Sequence, residues 1–380
     1  MLNFLLIMLI PTIIAIGFLH WAKDEQGVTI WEALAQIVVV GLIAGIGLGI
    51  AYYQGTTDKE IWNGMVVNRR AHVPVPCEHS YSCYCHQVCT GSGKDRSCTT
   101  ECDTCYEHNC YGGSGGTCRG NDFSWYVDAS TGETTEINRI DRQGNNMPPR
   151  WGSSFLGEPY SSEHRYTNYI KANPESVLIG SKGDIEHWKS LIPKYPDSVY
   201  DYYKHISVLN MGIATVDTNT WNWLLREINK KLGPTKQVNI LVILVPTNDS
   251  SYTLALKDAW LGGKKNDVDV IIGSKDGHTI DFVDVMSWST NKSMAVDLRN
   301  HIKDIGTLDN RNDITDAIYT IVNKEFVRMH MKDMKWLMRS FQPSHATMTW
   351  LFIIAILAEG LMVGGFLYYN KNKCKGYRGY

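Results

Sequence analysis

Residues 30–53 read IWEALAQIVVVGLIAGIGLGIAYY, and this stretch decides the class of the 380-residue protein. About 20 consecutive apolar residues, wound as an α-helix, cross a hydrocarbon core of roughly 30 Å. Two further apolar runs occupy residues 2–19 and 348–369. The first run lacks the basic start and the small-residue cleavage site of a signal peptide, so we interpret it as a retained helix. The sequence therefore predicts a membrane-anchored α+β protein with three transmembrane helices.

Residues 54–347, between the second and third runs, have the composition of a folded soluble domain. The whole chain is 44% hydrophobic and carries a formal net charge of −2. Without a basic excess, the chain is not expected to bind nucleic acid.

Basic residues around the last apolar run predict the orientation. A dense basic group follows the run and a sparser group precedes it. Basic segments remain preferentially in the cytoplasm. The sequence therefore predicts a cytoplasmic tail at residues 370–380 and an extracytoplasmic main domain. The tail residues are Lys371, Lys373, Lys375 and Arg378, and the group ahead of the run is Lys332, Lys335 and Arg339.

Glycines in the second and third runs recur with the spacing of helix-packing motifs. This spacing lets helix backbones approach closely, which predicts packing of the second run on the third, or on a copy of itself in a homo-oligomer. Glu359 lies near the middle of the third run, where a carboxyl group needs a partner. We expect Glu359 to be protonated or hydrogen-bonded in a helix interface. The glycines are Gly41, Gly45, Gly49, Gly360 and Gly364.

Nine of the ten cysteines fall within residues 77–118. This stretch has few aliphatic residues and many glycines, serines and threonines, so it cannot bury enough apolar surface to fold unaided. The sequence therefore predicts a small cross-linked module within residues 54–120.

Two cross-linking chemistries fit this module. A structural zinc ion is suggested by the two-residue gap between Cys102 and Cys105, with Cys83 and Cys85 as a second half-site. Disulfides are suggested by the irregular spacing and by the oxidising conditions expected outside the cytoplasm. Both interpretations stay open. The alternative zinc ligands are Cys77, Cys89, His79 and His108.

Residues 121–214 are rich in tyrosine, tryptophan and turn residues. Short alternating stretches at 125–127 and 135–140 predict strands. We interpret this part as a β-rich segment in which the aromatic side chains mainly pack against each other.

Residues 215–331 alternate between helical and strand patterns. An amphipathic helix is predicted from Asp217 or Thr218 to the Gly233–Pro234 pair, and the β-branched run 238–245 predicts a central strand covered on both faces. This order is typical of an α/β domain with helices flanking a small sheet. The other predicted elements are helices at 254–260, 293–302 and 314–326 and strands at 268–272 and 279–285.

The same part of the chain, roughly residues 217–328, resembles the TPM domain family. The resemblance rests on VNILVILVP at 238–246, a short helix ending at Trp260, GGKKN at 262–266, and VDVII at 268–272 followed by an Asp-Gly turn. This chain has GGKKNDV where the family has Gly-x-Lys-Gly-x-Asp-Asn-Gly. It also lacks the Gly-Tyr-Gly that follows the family's second strand. The resemblance implies a domain facing the periplasm or a comparable lumen, with its membrane anchor after it.

Three other stretches resemble uncharacterised membrane proteins encoded by tailed bacteriophages. They are CDTCY at 102–106, RIDRQG at 139–144 and YTNYIK at 166–171. This resemblance implies a location in the inner membrane of an infected bacterium or in a virion.

The chain contains no His-Glu-x-x-His or phosphate-loop motif. Asp267 and Asp269 form a possible carboxylate site that could bind a hard cation. The leading interpretation is a non-enzymatic binding or scaffold protein that contacts envelope or virion proteins. The alternative is a weak metal-dependent phosphatase on residues 215–331. The remaining units are two transmembrane helices in 1–53 and one in 346–369.

Overall fold

The computed structural model describes residues 2–23, 28–72, 79–90, 97–107, 123–138, 146–174, 185–341 and 343–376. Its architecture is α+β, as predicted: two four-stranded sheets, a two-stranded ribbon and long apolar helices at both ends of the chain.

The helices, in chain order, are α1 (Leu2–Lys23), α2 (Ile30–Thr56), α3 (Pro149–Ser153), α4 (Tyr169–Ala172), α5 (Ile185–Trp188), α6 (Thr218–Lys236), α7 (Ser251–Ala259), α8 (Ser293–Ile305), α9 (Arg311–Glu325) and α10 (His345–Gly376). A 3₁₀ helix, Met331–Ser340, lies between α9 and α10. The strands are β1 (Thr57–His72), β2 (His79–Thr90), β3 (Ser97–Glu107), β4 (Ser124–Ala129), β5 (Thr134–Ile137), β6 (Pro159–Thr167), β7 (Val208–Asn210), β8 (Asn239–Val245), β9 (Asp267–Gly273) and β10 (Phe282–Ser287).

Among the described residues, two helices are long and apolar enough to cross a membrane, not the predicted three. These are α2 and residues 345–371 of α10. In α1, the apolar helix found among the described residues is Met8–Lys23, which is shorter than the roughly 20 residues that a span needs. Two candidate spans are therefore found instead of three, and α1, which is 22 residues long in all, packs beside them.

The three apolar helices pack against each other. Met8 of α1, Val40 and Ala44 of α2, and Ala355 of α10 form one buried cluster. Farther along the bundle, α1 and α10 share a second cluster. At the end remote from the strands, the Nζ atom of Lys23 lies 2.6 Å from a carboxylate oxygen of Glu32. Apolar contacts therefore join the helices along their length, and an ion pair closes one end.

The first sheet is antiparallel with the strand order β5-β4-β1-β6. Its long strand β1 follows α2 directly, pairing first with β6 and then with β4. The predicted strand at 125–127 is confirmed within β4. Residues 57–72, which the sequence analysis included in the cysteine-rich module at 54–120, belong to this sheet.

The second sheet has the order β10-β9-β8-β7, with β7, β8 and β9 parallel and β10 antiparallel to β9. Every residue of β8 is buried, as the run at 238–245 predicts. One face of the sheet packs against α6, α8 and α9, and the other packs against α7. The predicted α/β layering is confirmed. The last strand begins at Phe282, three residues later than predicted.

Helix α6 begins as predicted but ends later. The Asp217 carboxylate caps it by accepting hydrogen bonds from two backbone N–H groups of the first turn. The helix continues past Gly233–Pro234 to Lys236, because a proline in the last turn removes only one backbone hydrogen bond. Gly233 is not a helix stop. It instead allows close contact with the backbone of Asn63 in β1.

The 3₁₀ helix joins the α/β domain to α10. Met331 and Leu337 bury their side chains against Tyr166 and Ile170. Trp336 points outward and is 51% exposed. This segment therefore packs on the first sheet while presenting polar and aromatic side chains close to the start of the last apolar helix.

Candidate functional site

Strands β2 and β3 form an antiparallel ribbon inserted between β1 and β4. A disulfide joins Cys85 to Cys102 across it, and Cys83 is also disulfide-bonded. A sulfur atom in a disulfide is not available as a thiolate ligand, so this arrangement favours the disulfide interpretation over zinc at Cys83, Cys85, Cys102 and Cys105.

The remaining zinc candidates either lie in the strands of this ribbon or fall outside the described residues. Cys105 pairs with Tyr81 in the strand register, and Cys89 pairs with Cys98. His79 begins β2. Cys77 and His108 lie outside the described residues. In the described part of the chain, no group of three or more His, Cys, Asp or Glu side chains could hold a metal ion.

The ribbon is exposed along its described length. None of its described side chains is buried, and none belongs to a hydrophobic core cluster. Tyr84 is 80% exposed and has a φ of 46°, beside an irregularity in the strand register between Cys83 and His86. The ribbon therefore contributes a covalently braced surface and no core.

Asp267 and Asp269 lie at the start of β9 and are both fully buried. The Asp267 carboxylate accepts hydrogen bonds from the Tyr195 hydroxyl at 2.7 Å, the Lys264 backbone N–H at 2.6 Å and the Asn239 side-chain amide at 3.0 Å. Burial raises the pKa of Asp267, while these three donors and the nearby Lys264 charge oppose the rise. The hydrogen bonds to Asp267 thus favour its ionised form, whereas burial disfavours that form.

Asp269 has the opposite surroundings. Neither of its carboxylate oxygens has a hydrogen-bond partner among the described residues. Burial and the neighbouring Asp267 raise its pKa well above the usual value. The two side chains converge on Gly263: a β-carbon there would lie 2.5 Å from Oδ2 of Asp269 and 3.3 Å from Oδ2 of Asp267. Burial and the neighbouring Asp267 carboxylate therefore both disfavour the ionised form of Asp269.

This pair belongs to a polar network that links the two sheets. Ser161 donates a hydrogen bond to Asn63, and Asn63 donates one to Asn239, which in turn donates to Asp267. The network crosses from β6 and β1 of the first sheet to β8 and β9 of the second. It is a structural connection with no opening to solvent at the carboxylates.

Glu60 of β1 is the centre of a second buried group, and the sequence analysis missed it. Its side chain is fully buried, and its Oε1 atom lies 2.6 Å from Arg328, 3.2 Å from His164 and 3.4 Å from Lys265. These partners come from three separate parts of the chain. The sequence analysis predicted no strand around Glu60, so this charged residue gave no signal for such a role.

The glycine repeat is not used for packing between α2 and α10. The β-carbon positions at Gly41, Gly45, Gly49, Gly360 and Gly364 have no described atom within 4 Å. The close contact between these helices instead involves Gly47 of α2 and Leu351 of α10. Of the two uses predicted for the repeat, packing on a copy of the chain remains a prediction.

Glu359 lies in the interface between α1 and α10, where the Thr12 hydroxyl donates a hydrogen bond to its Oε1 atom at 2.9 Å. Only 2% of the Glu359 surface is exposed. A second polar residue, Gln36 of α2, is fully buried, and neither atom of its amide group has a partner among the described residues. Gln36 was not singled out from the sequence because a single amide in an apolar run is a weak signal.

No family model, curated protein or solved structure matches this chain. The chemistry of the sites is therefore argued from their geometry alone.

Proposed function

We propose that this protein is a phage-encoded, non-enzymatic membrane protein whose extracytoplasmic domain binds other envelope or virion proteins through the β2–β3 ribbon. The observation that carries this proposal is the exposure of a disulfide-braced ribbon that buries no described side chain. Because the β2–β3 ribbon buries no described side chain, it adds little to the stability of the fold. Its covalent bracing instead preserves a defined surface, on which Tyr84 is 80% exposed.

Membrane anchoring is supported by the exposure of the apolar helices. In the apolar windows of α2 and α10, only 22% of the residues are buried within the molecule. A core helix of a soluble protein would be mostly buried. Side chains such as Ile46 and Leu361 are 64% and 79% exposed, which suits contact with lipid.

The extracytoplasmic orientation is supported by two independent features. The disulfide between Cys85 and Cys102 needs an oxidising compartment to persist. The basic residues after the last apolar run favour a cytoplasmic C-terminus. The TPM-like order of elements in residues 217–328 agrees with a domain that precedes its anchor.

The alternative, a metal-dependent phosphatase at Asp267 and Asp269, has less support. Both carboxylates are fully buried, and Gly263 covers them. A phosphate ester could reach neither group without opening the loop. The buried pair is better explained as part of the connection between the sheets.

Photo-crosslinking in the intact envelope tests the proposal. A photoreactive amino acid replaces Tyr84 on the ribbon or, as a matched control, Trp223 on α6, which is 58% exposed. We expect discrete crosslinked protein adducts from position 84 and a much weaker signal from position 223. Replacing Cys85 and Cys102 with serine should reduce the adducts at position 84.

Equal crosslinking at both positions, or none at position 84, would contradict binding through the ribbon. The inserted fraction, measured by alkaline carbonate extraction of the same membranes, separates failure of partner binding from failure of membrane anchoring.

A further inference from the structure

An apolar groove of about 350 Å³ lies between α1 and α10. Its walls include Pro11, Ile14 and Phe18 from α1 and Ile356 and Gly360 from α10, with Glu359 as its acidic residue. Ile14 and Phe18 are 65% and 49% exposed, so one side of the groove opens to the surroundings of the helices. The volume is at the lower end of the range for small-molecule sites.

The groove contains an incompletely satisfied carboxyl group. Thr12 donates its hydroxyl to Oε1 of Glu359, but Oε2 has no hydrogen-bond partner among the described residues. Burying a polar atom without a partner is unfavourable in an apolar environment. A ligand that offers one polar group to Oε2 would remove this cost.

The depth of Glu359 limits the class of ligand. It lies near the middle of the apolar run 348–369, about 15 Å along the helix from either end. A phospholipid headgroup belongs at the membrane surface and cannot lie at this depth. The ligand must therefore be apolar over most of its body, with a single small polar group.

The chemistry of a carboxyl group in hydrocarbon identifies that polar group. If Glu359 is protonated, its O–H needs an acceptor, and if it is ionised, its oxygen needs a donor. A hydroxyl group can act as either. An ammonium group matches only the ionised form, which the apolar surroundings disfavour.

We propose that the groove between α1 and α10 is a membrane-embedded binding site for an apolar alcohol or phenol, whose hydroxyl group hydrogen-bonds to Oε2 of Glu359. The apolar body lies along Ile14, Phe18 and Ile356. This inference rests on the membrane placement proposed above and extends it to a ligand that partitions into the bilayer.

A pair of photoreactive probes tests the site on full-length protein in phosphatidylcholine vesicles. One probe is a long-chain alcohol with a diazirine beside the hydroxyl, and the other is its methyl ether. We expect the alcohol to label residues 11–18 and 356–363 about fivefold more than the ether, the order of magnitude of one net hydrogen bond. Equal labelling by the two probes would overturn the proposal, because it would show an acyl-chain groove without recognition of the hydroxyl.

Variants separate the role of Glu359 from a loss of folding. Glu359→Gln keeps a donor and an acceptor and should retain labelling, whereas Glu359→Leu should lose the preference for the alcohol. Gly360→Leu should fill the groove and abolish labelling, since no described atom lies within 4 Å of its β-carbon position. Gln36→Leu removes a buried polar group elsewhere in the bundle and should leave labelling unchanged.

Wild-type labelling by Glu359→Leu, or no labelling of the wild-type groove, would also refute the site. Carbonate extraction of each sample reports membrane insertion separately, so failure of the proposed anchoring is distinguishable from failure of ligand binding.

Discussion

The backbone carbonyl of Asn63 in β1 lies against the α-carbon of Gly233 in α6, so closely that a β-carbon at position 233 would be far inside van der Waals contact with that oxygen. Here the first sheet and the α/β domain are in direct backbone contact. The contact involves backbone on both sides, so rotation of a side chain cannot relieve a clash there.

Gly233→Ala should destabilise the protein by about 1–3 kcal/mol, the usual cost of overpacking, despite the better helix propensity of alanine. The measurement is the unfolding free energy of the detergent-solubilised protein. Thr235→Ala, at an exposed position in the same helical turn, should change the value by less than about 0.5 kcal/mol. Similar stabilities of wild type and Gly233→Ala would show that the two units are not held by this contact.

Asp269→Asn should stabilise the protein relative to wild type increasingly as the pH rises above 3.8, the ordinary pKa of the side chain. Above that pH the unfolded chain loses the Asp269 proton while the folded chain retains it, because burial and Asp267 raise the folded pKa. The difference should grow by up to about 1.4 kcal/mol per pH unit until the folded pKa is reached.

The neighbouring substitution Asp267→Asn is the matched control. Asp267 accepts hydrogen bonds from Tyr195, Lys264 and Asn239, so its replacement should destabilise the protein at neutral pH. Unfolding free energies measured between pH 4 and pH 7.5 test both expectations. A constant difference between Asp269→Asn and wild type across this range would show that Asp269 is not protonated in the folded protein.

His205 should make the fold sensitive to acid. Burial lowers the pKa of His205 from 6.5 to about 4, and its Nε2 atom lies 2.8 Å from the Pro196 carbonyl oxygen. As the pH falls from 6.5 to about 4, the unfolded chain takes up a proton that the folded chain does not. Stability is therefore lost over this window, by about 3 kcal/mol in total.

His205→Gln should remove that part of the acid sensitivity, because glutamine does not titrate and can still donate to Pro196. The readout is the difference in unfolding free energy between variant and wild type, which cancels titration of other groups. If the unfolding free energies of the variant and the wild type differ by a constant amount from pH 7.5 to pH 4.5, then His205 titrates normally in the folded state.

The sidedness of the membrane protein is open to a direct test. Protease added to spheroplasts should digest residues 123–323 and spare a tag at the C-terminus, because the basic tail favours the cytoplasm. In the matched control, protease is added to the same tagged protein after the membrane has been permeabilised. The tag should then be cleaved. A protected main domain in intact spheroplasts would reverse the topology and weaken the disulfide interpretation.

Local patterns predicted the α/β domain well because its elements are specified by neighbouring residues. The strand β8 is buried on both faces and consists almost entirely of Val, Ile and Leu, and Asp217 caps α6 within its own first turn. Strand β1 was missed because charged residues such as Lys59 and Glu60 interrupt its apolar pattern. Glu60 is buried, and one of its partners, Arg328, lies 268 residues later in the chain. Such a pairing cannot be read from local sequence.

The last prediction separates the two chemistries of the cysteine ribbon. With the Cys85–Cys102 bond and a bridged Cys83, the intact mass should be lower than the reduced mass by about two hydrogens per bridge. Reductant, and not a chelator, should expose residues 79–107 to protease. Loss of the Cys85–Cys102 bond, which spans 17 positions, should destabilise the ribbon by about 3 kcal/mol. Replacing Cys374, outside the module, with serine should change neither result.

Zinc would give the opposite pattern. The purified protein would then contain near-stoichiometric metal, and a chelator would unfold the ribbon because metal-binding energy is folding energy in such modules. Full reduced mass together with sensitivity to chelator would refute the bridge and restore Cys83, Cys85, Cys102 and Cys105 as a ligand set. Both measurements can be made on one preparation. The intact mass reports whether the cysteines are bridged, and protease sensitivity reports whether residues 79–107 remain folded.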